Sequence, residues 1–186
     1  MILPIYIYGN SVLRKKCKDI DKSYPNLKDL IKNMYATMNN AHGIGLASPQ
    51  IGISLNLFVI DLAPLSDKNP SLKGIKKVFI NPKILNETGE EWEYDEGCLS
   101  IPEINELVKR KKNIEIQYLD ENFNVVIEKI SGIEARVIQH EYDHLRGIFF
   151  TDYLPANRKN ILNRKLKDIS KGKFEKRYNF VLSKKK

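Results

Sequence analysis

Cysteine and histidine are both scarce in this 186-residue chain, with two of the former and three of the latter. Cys17 and Cys98 are too few for a disulfide framework and too far apart for a CxxC redox pair. No apolar run approaches the roughly 20 residues that a membrane helix needs. The apolar start, Ile2 to Tyr8, is short, is broken by Pro4 and follows no basic residue, so it does not read as a signal peptide. No internal repeat and no Ser/Gly/Pro linker divides the chain. These absences lead us to expect a cytoplasmic protein of one domain, acting as a monomer and away from membranes.

What is present is a globular composition, 42% hydrophobic, on a chain long enough to bury a core without disulfide staples. Charge is unevenly placed. Residues 157–186 hold twelve Lys or Arg against Asp168 and Glu175, whereas residues 1–156 hold 19 basic and 21 acidic residues. We therefore divide the chain into a nearly neutral body, 1–156, and a basic helix and tail of the same domain, 157–186. The tail is the part that would feel a polyanion.

Leu27, Leu30, Ile31, Met34 and Met38 recur at three and four residues, which predicts a helix over 25–40 with Pro25 in its first turn. A glycine-rich turn follows at 43–52. Residues 55–62 read as a buried strand, 61–74 as a surface loop, and 78–85, 107–119 and 123–130 as further strands. Asp120-Glu-Asn122 supplies a hairpin turn. Ser131-Gly-Ile-Glu134 has the form of a capping box, and Ile133, Val137, Ile138 and Leu145 then follow at helical spacing up to Gly147. A last helix over 157–171 carries Ile161, Leu162, Leu166 and Ile169 on one stripe. With no regular βαβ alternation, the class is α+β: antiparallel strands packed around the helix that bears His140 and His144, with a C-terminal helix.

That central helix carries the chemistry. His140 and His144 stand four apart, so they project from one face roughly 5–6 Å apart at Cβ and suit one metal ion. Glu141 beside them is placed to take a proton from a metal-bound water, as in the HExxH arrangement of hydrolytic sites. The third ligand names the reaction. Phe150 stands where a metzincin would have its third His, and a Phe cannot ligate. Of the later acids, Asp152 is too close in sequence and Asp168 and Glu175 lie in the basic tail. Cys98, in Glu96-Gly-Cys-Leu-Ser100, remains, with Cys17 as its competitor. Two imidazoles and a thiolate leave a fourth position open, the catalytic type of site. On softness and geometry alone that set suggests Zn²⁺. Two other readings stay open at this point. One is an HExxH peptidase, which lacks a recognisable further ligand. The other is a basic RNA-binding protein, which leaves Glu96-Gly-Cys-Leu-Ser100 unexplained.

Three segments together, Gly43-Ile-Gly-Leu-Ala-Ser-Pro-Gln50, Glu96-Gly-Cys-Leu-Ser100 and Gln139-His-Glu-Tyr-Asp-His-Leu-Arg-Gly147, resemble the three motifs of the peptide deformylases, in order. The resemblance runs from near the N-terminus to about Leu154. It departs at Ser48, where Ala is usual, and at Asn105, where many members place an Arg that meets the peptide beyond its first residue. It implies a hydrolase that removes the formyl group from the N-terminal formylmethionine of nascent polypeptides and releases formate. Cys98, His140 and His144 become the metal ligands and Glu141 the general base and acid. Gln50 and the Leu99 N–H become donors to the developing oxyanion, and Gly45 lets the chain approach the substrate. For the methionine pocket, Ile44, Ile133 and Val137 are the apolar candidates. The resemblance implies Fe²⁺, with Ni²⁺ or Co²⁺ as substitutes, and a ribosomal RNA contact through the C-terminal helix.

Overall fold

The structure, a computed structural model, describes residues 1–183. Its elements run in the order β1 (Ile5–Tyr6), α1 (Leu27–Asn40), β2 (Gly45–Ala47), β3 (Leu57–Asp61), β4 (Lys76–Cys98), β5 (Ile101–Leu119), β6 (Val125–Ser131), α2 (Gly132–Leu145), α3 (Ala156–Ser170) and β7 (Phe180–Val181). Strands β2-β3-β4-β5-β6 form an antiparallel sheet in that order, while β1 and β7 pair in parallel. This is the expected α+β architecture. Helix α2 packs on the sheet and buries Ala135, Ile138 and Leu145 against Phe58, Phe79 and Ile116. A second core joins Ile5, Ile7, Phe149 and Phe150 to α3 through Leu162, Leu166 and Ile169.

Several boundaries differ from the sequence reading, each for a physical reason. Helix α1 begins at Leu27 because Asn26 takes a left-handed conformation, φ 56°, leaving Pro25 outside. Strand β4 runs on to Cys98 rather than ending near Leu85. Its stretch 86–91 is exposed, so no alternation of burial marks it; the ladder to β5 holds it. The glycine-rich turn contains β2, which pairs with β3, and a 3-10 turn over Ser48–Ile51. The capping box does not form. Ser131 makes no side-chain cap, and the Glu134 carboxylate lies instead 3.0 Å from Lys77 Nζ. Ile161 leaves the apolar stripe of α3 and is 64% exposed. Gly147 does close α2, at φ 74°, where a Cβ would also strike the Arg14 carbonyl.

Beyond α3 the described residues fold back onto the body. Phe174, Tyr178, Phe180 and Leu182 pack against the second core. The Ile5 N–H donates to the Asn179 carbonyl at 2.9 Å and the Ile7 N–H to the Val181 carbonyl at 3.0 Å. Lys184, Lys185 and Lys186, part of the expected basic tail, lie outside the described residues.

Candidate metal centre and active site

Cys98 ends β4, and the two residues Leu99 and Ser100 turn the chain into β5. The ladder slips its register between Gly97 and Cys98, a local irregularity of the kind that re-aims a side chain beside a site. One helical turn apart on α2, His140 and His144 meet edge to face, ring centroids 5.0 Å apart. Ligand atoms of Cys98, His140 and His144 all lie within 4.8 Å of one another, and Cys98 Sγ is 3.2 Å from His144 Nε2. Cys17, the sequence competitor, is buried and hydrogen-bonded through its backbone to the Leu145 carbonyl; burial pushes its thiol up to about 11. It takes no part in the cluster.

A soft sulfur and two imidazoles fit a divalent transition ion and leave a coordination position free. The imidazoles are prepared for that use. His140 Nδ1 lies 2.9 Å from Glu96 Oε2, so its other nitrogen faces Cys98. Burial, then the charges of His140 and Arg110, hold His144 well below the usual imidazole range, in the neutral form that ligates. Glu141 is 4% exposed, and its Oε2 has no hydrogen-bond partner. Burial raises its carboxyl to about 7, with the His140 charge opposing. A buried carboxylate oxygen without a partner, beside three side chains that could hold a metal ion, is chemically suited to accept a proton.

Gln50 comes from the 3-10 turn after β2 and is 1% exposed. Its Oε1 accepts the Ala47 N–H at 2.8 Å, so its Nε2 faces the site, 3.6 Å from Cys98 Sγ and 3.4 Å from Ser100 Oγ. Gly45, Gln50, Leu99, Cys98, His140 and Glu141 line one cavity of about 530 Å³. Ile44 and Val137 line it as well. Ile133 does not; it packs instead against the core under α2, because it lies a full turn nearer the sheet end of that helix. The structure adds a steric reason for Gly45. A Cβ there would come within 2.8 Å of Glu141 Cγ and Cδ, so the glycine makes room for that carboxylate. Asn105 also lines the cavity and donates through Nδ2 to Asp95 at 3.0 Å. His42 is exposed at the cavity edge and outside the ligand cluster.

Sequence reasoning missed the layer behind the ligands. Glu96 is buried and accepts from Arg110 Nε at 2.7 Å, Arg136 Nη1 at 2.9 Å and, through its other oxygen, Arg110 Nη2 at 3.0 Å. Burial disfavours its charge, but the hydrogen bonds and charges of His140 and Arg110 prevail and hold it well below the usual carboxylate range. Arg110 also reaches Asp143 at 2.6 Å, and Asp143 Oδ1 accepts the Tyr153 hydroxyl at 3.1 Å. Arg136 also lines the cavity; it is buried, stacked over Trp92 and bonded to Glu96. The signal for Arg110 was its place on the inward face of β5, in step with the buried Ile104, Glu106 and Val108.

A sequence model described as polypeptide deformylase matches residues 2–160. A peptide deformylase of Christiangramia forsetii is 54% identical over 185 residues, covering 96% of this chain and 94% of its own. One of Flavobacterium psychrophilum is 51% identical over the full length of both. Among solved structures, a peptide deformylase from Legionella pneumophila is 35% identical, with a TM-score of 0.81 over 92% of this chain and 96% of that one. Another, from Synechococcus elongatus and in complex with actinonin, is 36% identical, with a TM-score of 0.78 over 96% and 91%.

Proposed function

The chain belongs to the polypeptide deformylase family, metal-dependent hydrolases that take the N-formyl group off nascent polypeptides, and we propose that Glu141, Gln50 and the Leu99 N–H carry this reaction beside an ion held by Cys98, His140 and His144. One observation supports the assignment above others. The sulfur and both imidazoles converge to within 4.8 Å, and Cys98 and His140 line the cavity together with Glu141, whose Oε2 has no partner.

When bound, a divalent ion supplies Lewis acidity toward the formyl oxygen and the attacking water. Glu141 takes the proton from that water and returns it to the departing amine. Gln50 Nε2 and the Leu99 N–H donate to the formyl oxygen as negative charge gathers on it, each such donor typically contributing about 10²–10³ in rate. Formate and a free N-terminus result. Ile44 and Val137 give the methionine side chain an apolar wall.

The ion in this reading is Fe²⁺, with Zn²⁺ the main alternative and Ni²⁺ or Co²⁺ as substitutes. The protein works as a monomer in the cytoplasm. The body, 1–156, carries catalysis, and the basic tail meets ribosomal RNA through Lys159, Arg164 and Lys167 of α3 and Lys171 at its C-terminal end. Arg158 is already paired with Glu106.

The test is formate release from a formyl-Met peptide by anaerobically prepared protein, beside the same peptide acetylated. Release from the formyl peptide alone, with about one ion per chain that Cys98→Ser loses, supports the assignment. Full ion content in Cys98→Ser overturns the ligand set. Ribosome pelleting at several salt concentrations, with those four cations changed to Ala, tests the RNA contact.

A further inference from the structure

The family match ends at residue 160, yet the cavity wall continues past it: Glu175, Arg177 and Tyr178 line the same space. This segment is held on both sides of Tyr178. Upstream, the Glu175 N–H donates to Glu103 Oε1 at 2.7 Å. Downstream, β7 pairs with β1. Between these anchors the Tyr178 hydroxyl donates to the Leu99 carbonyl at 2.6 Å.

That carbonyl belongs to the peptide group joining Leu99 to Ser100. The N–H of the same peptide, on Ser100, donates to Cys98 Sγ at 3.4 Å. One peptide unit therefore takes a hydrogen bond at its oxygen from the tail and gives one at its nitrogen to the sulfur. Bonds arranged head to tail in this way polarise one another. The next carbonyl, of Ser100, accepts the Tyr8 N–H at 2.8 Å, so the whole two-residue turn is pinned from outside.

We propose that Tyr178 is a positioning residue of the metal centre, acting through the Leu99–Ser100 peptide to fix the N–H that donates to the Cys98 sulfur and so to set how that sulfur binds its ion. The proposal rests on the reading of Cys98 as a ligand. It adds to the reaction centre a residue from a part of the chain that the family match does not include.

Tyr178→Phe keeps the ring and removes one hydroxyl, and the unfolding midpoint of the metal-free variant checks that the tail stays docked. Both proteins are titrated with Co²⁺ under anaerobic conditions. We expect the thiolate-to-Co²⁺ absorption of the variant to move to longer wavelength, because the sulfur loses part of its N–H donation. Co²⁺ affinity should fall about tenfold, the lower end for loss of an outer partner. In turnover of a formyl-Met peptide, kcat should fall while KM stays within about twofold, since the hydroxyl is already committed to the Leu99 carbonyl. An unmoved band with unchanged affinity overturns the proposal. Absence of any thiolate band in the unaltered protein overturns it together with the assignment of Cys98.

Discussion

Gln50 Oε1 is bonded to the Ala47 N–H, and that single contact decides which end of the Gln50 amide faces the metal cluster. The N–H₂ end is left for the cavity, as a donor to a growing negative charge requires. Gln50→Glu has no donor to offer. Its kcat/KM for formyl-Met peptides should fall about 10²–10³, the usual cost of one such donor, with ion content unchanged. Paired kinetics and metal analysis on the same preparation check this.

Glu141→Gln replaces the orphaned carboxylate with an amide of the same shape. Ion content and unfolding midpoint should hold, while kcat falls about 10²–10⁴, the range for loss of a general base and acid. Turnover like that of the unaltered protein would remove Glu141 from the mechanism.

Gly45→Ala adds one methyl group against Glu141 Cγ and Cδ. The carboxylate must move, and a displacement of about 1 Å is enough to cost about 10² in rate. Because Gly45 lies at negative φ, alanine strains no backbone there. Stability should change far less than activity. A crystal structure of the variant would show Glu141 displaced.

Glu96→Gln keeps the volume of the side chain but removes the charge shared by Arg110, Arg136 and His140. Arg136 is then left facing a neutral amide in a buried site. Breaking a buried ion pair in this way costs about 3–5 kcal/mol, and loss of the His140 partner should weaken the ion about 10–100-fold. Denaturant midpoints on metal-free proteins and competition with a metal chelator read the two effects separately.

The convergence of His140 and His144 was legible because it is local: a His pair at helical spacing around a Glu needs only the helix. Cys98 was reached by exclusion of Phe150 and the later acids, and the family motifs led to Gln50. The deeper partners were not legible. Glu96, Arg110, Asp143 and Arg136 meet through register between β4, β5 and α2, which composition does not encode. Ser131 and Glu134 show the opposite failure. A local pattern was present, but Lys77 from β4 offered Glu134 a stronger partner than the helix terminus did. In the tail, counting charge marked the lysines and arginines but not Phe174, Tyr178 and Phe180 among them, which carry the docking face.

The parallel pairing of Ile5–Tyr6 with Phe180–Val181 ties together segments made at opposite ends of translation. The sheet, α2, Cys98, His140 and His144 are all synthesised before the last residues. A chain at that stage cannot yet seat Tyr178 on the Leu99 carbonyl. The wall beyond residue 160 is therefore the last part of the cleft to be made, and a message truncated before Tyr178 leaves the Leu99 carbonyl without its partner from the tail.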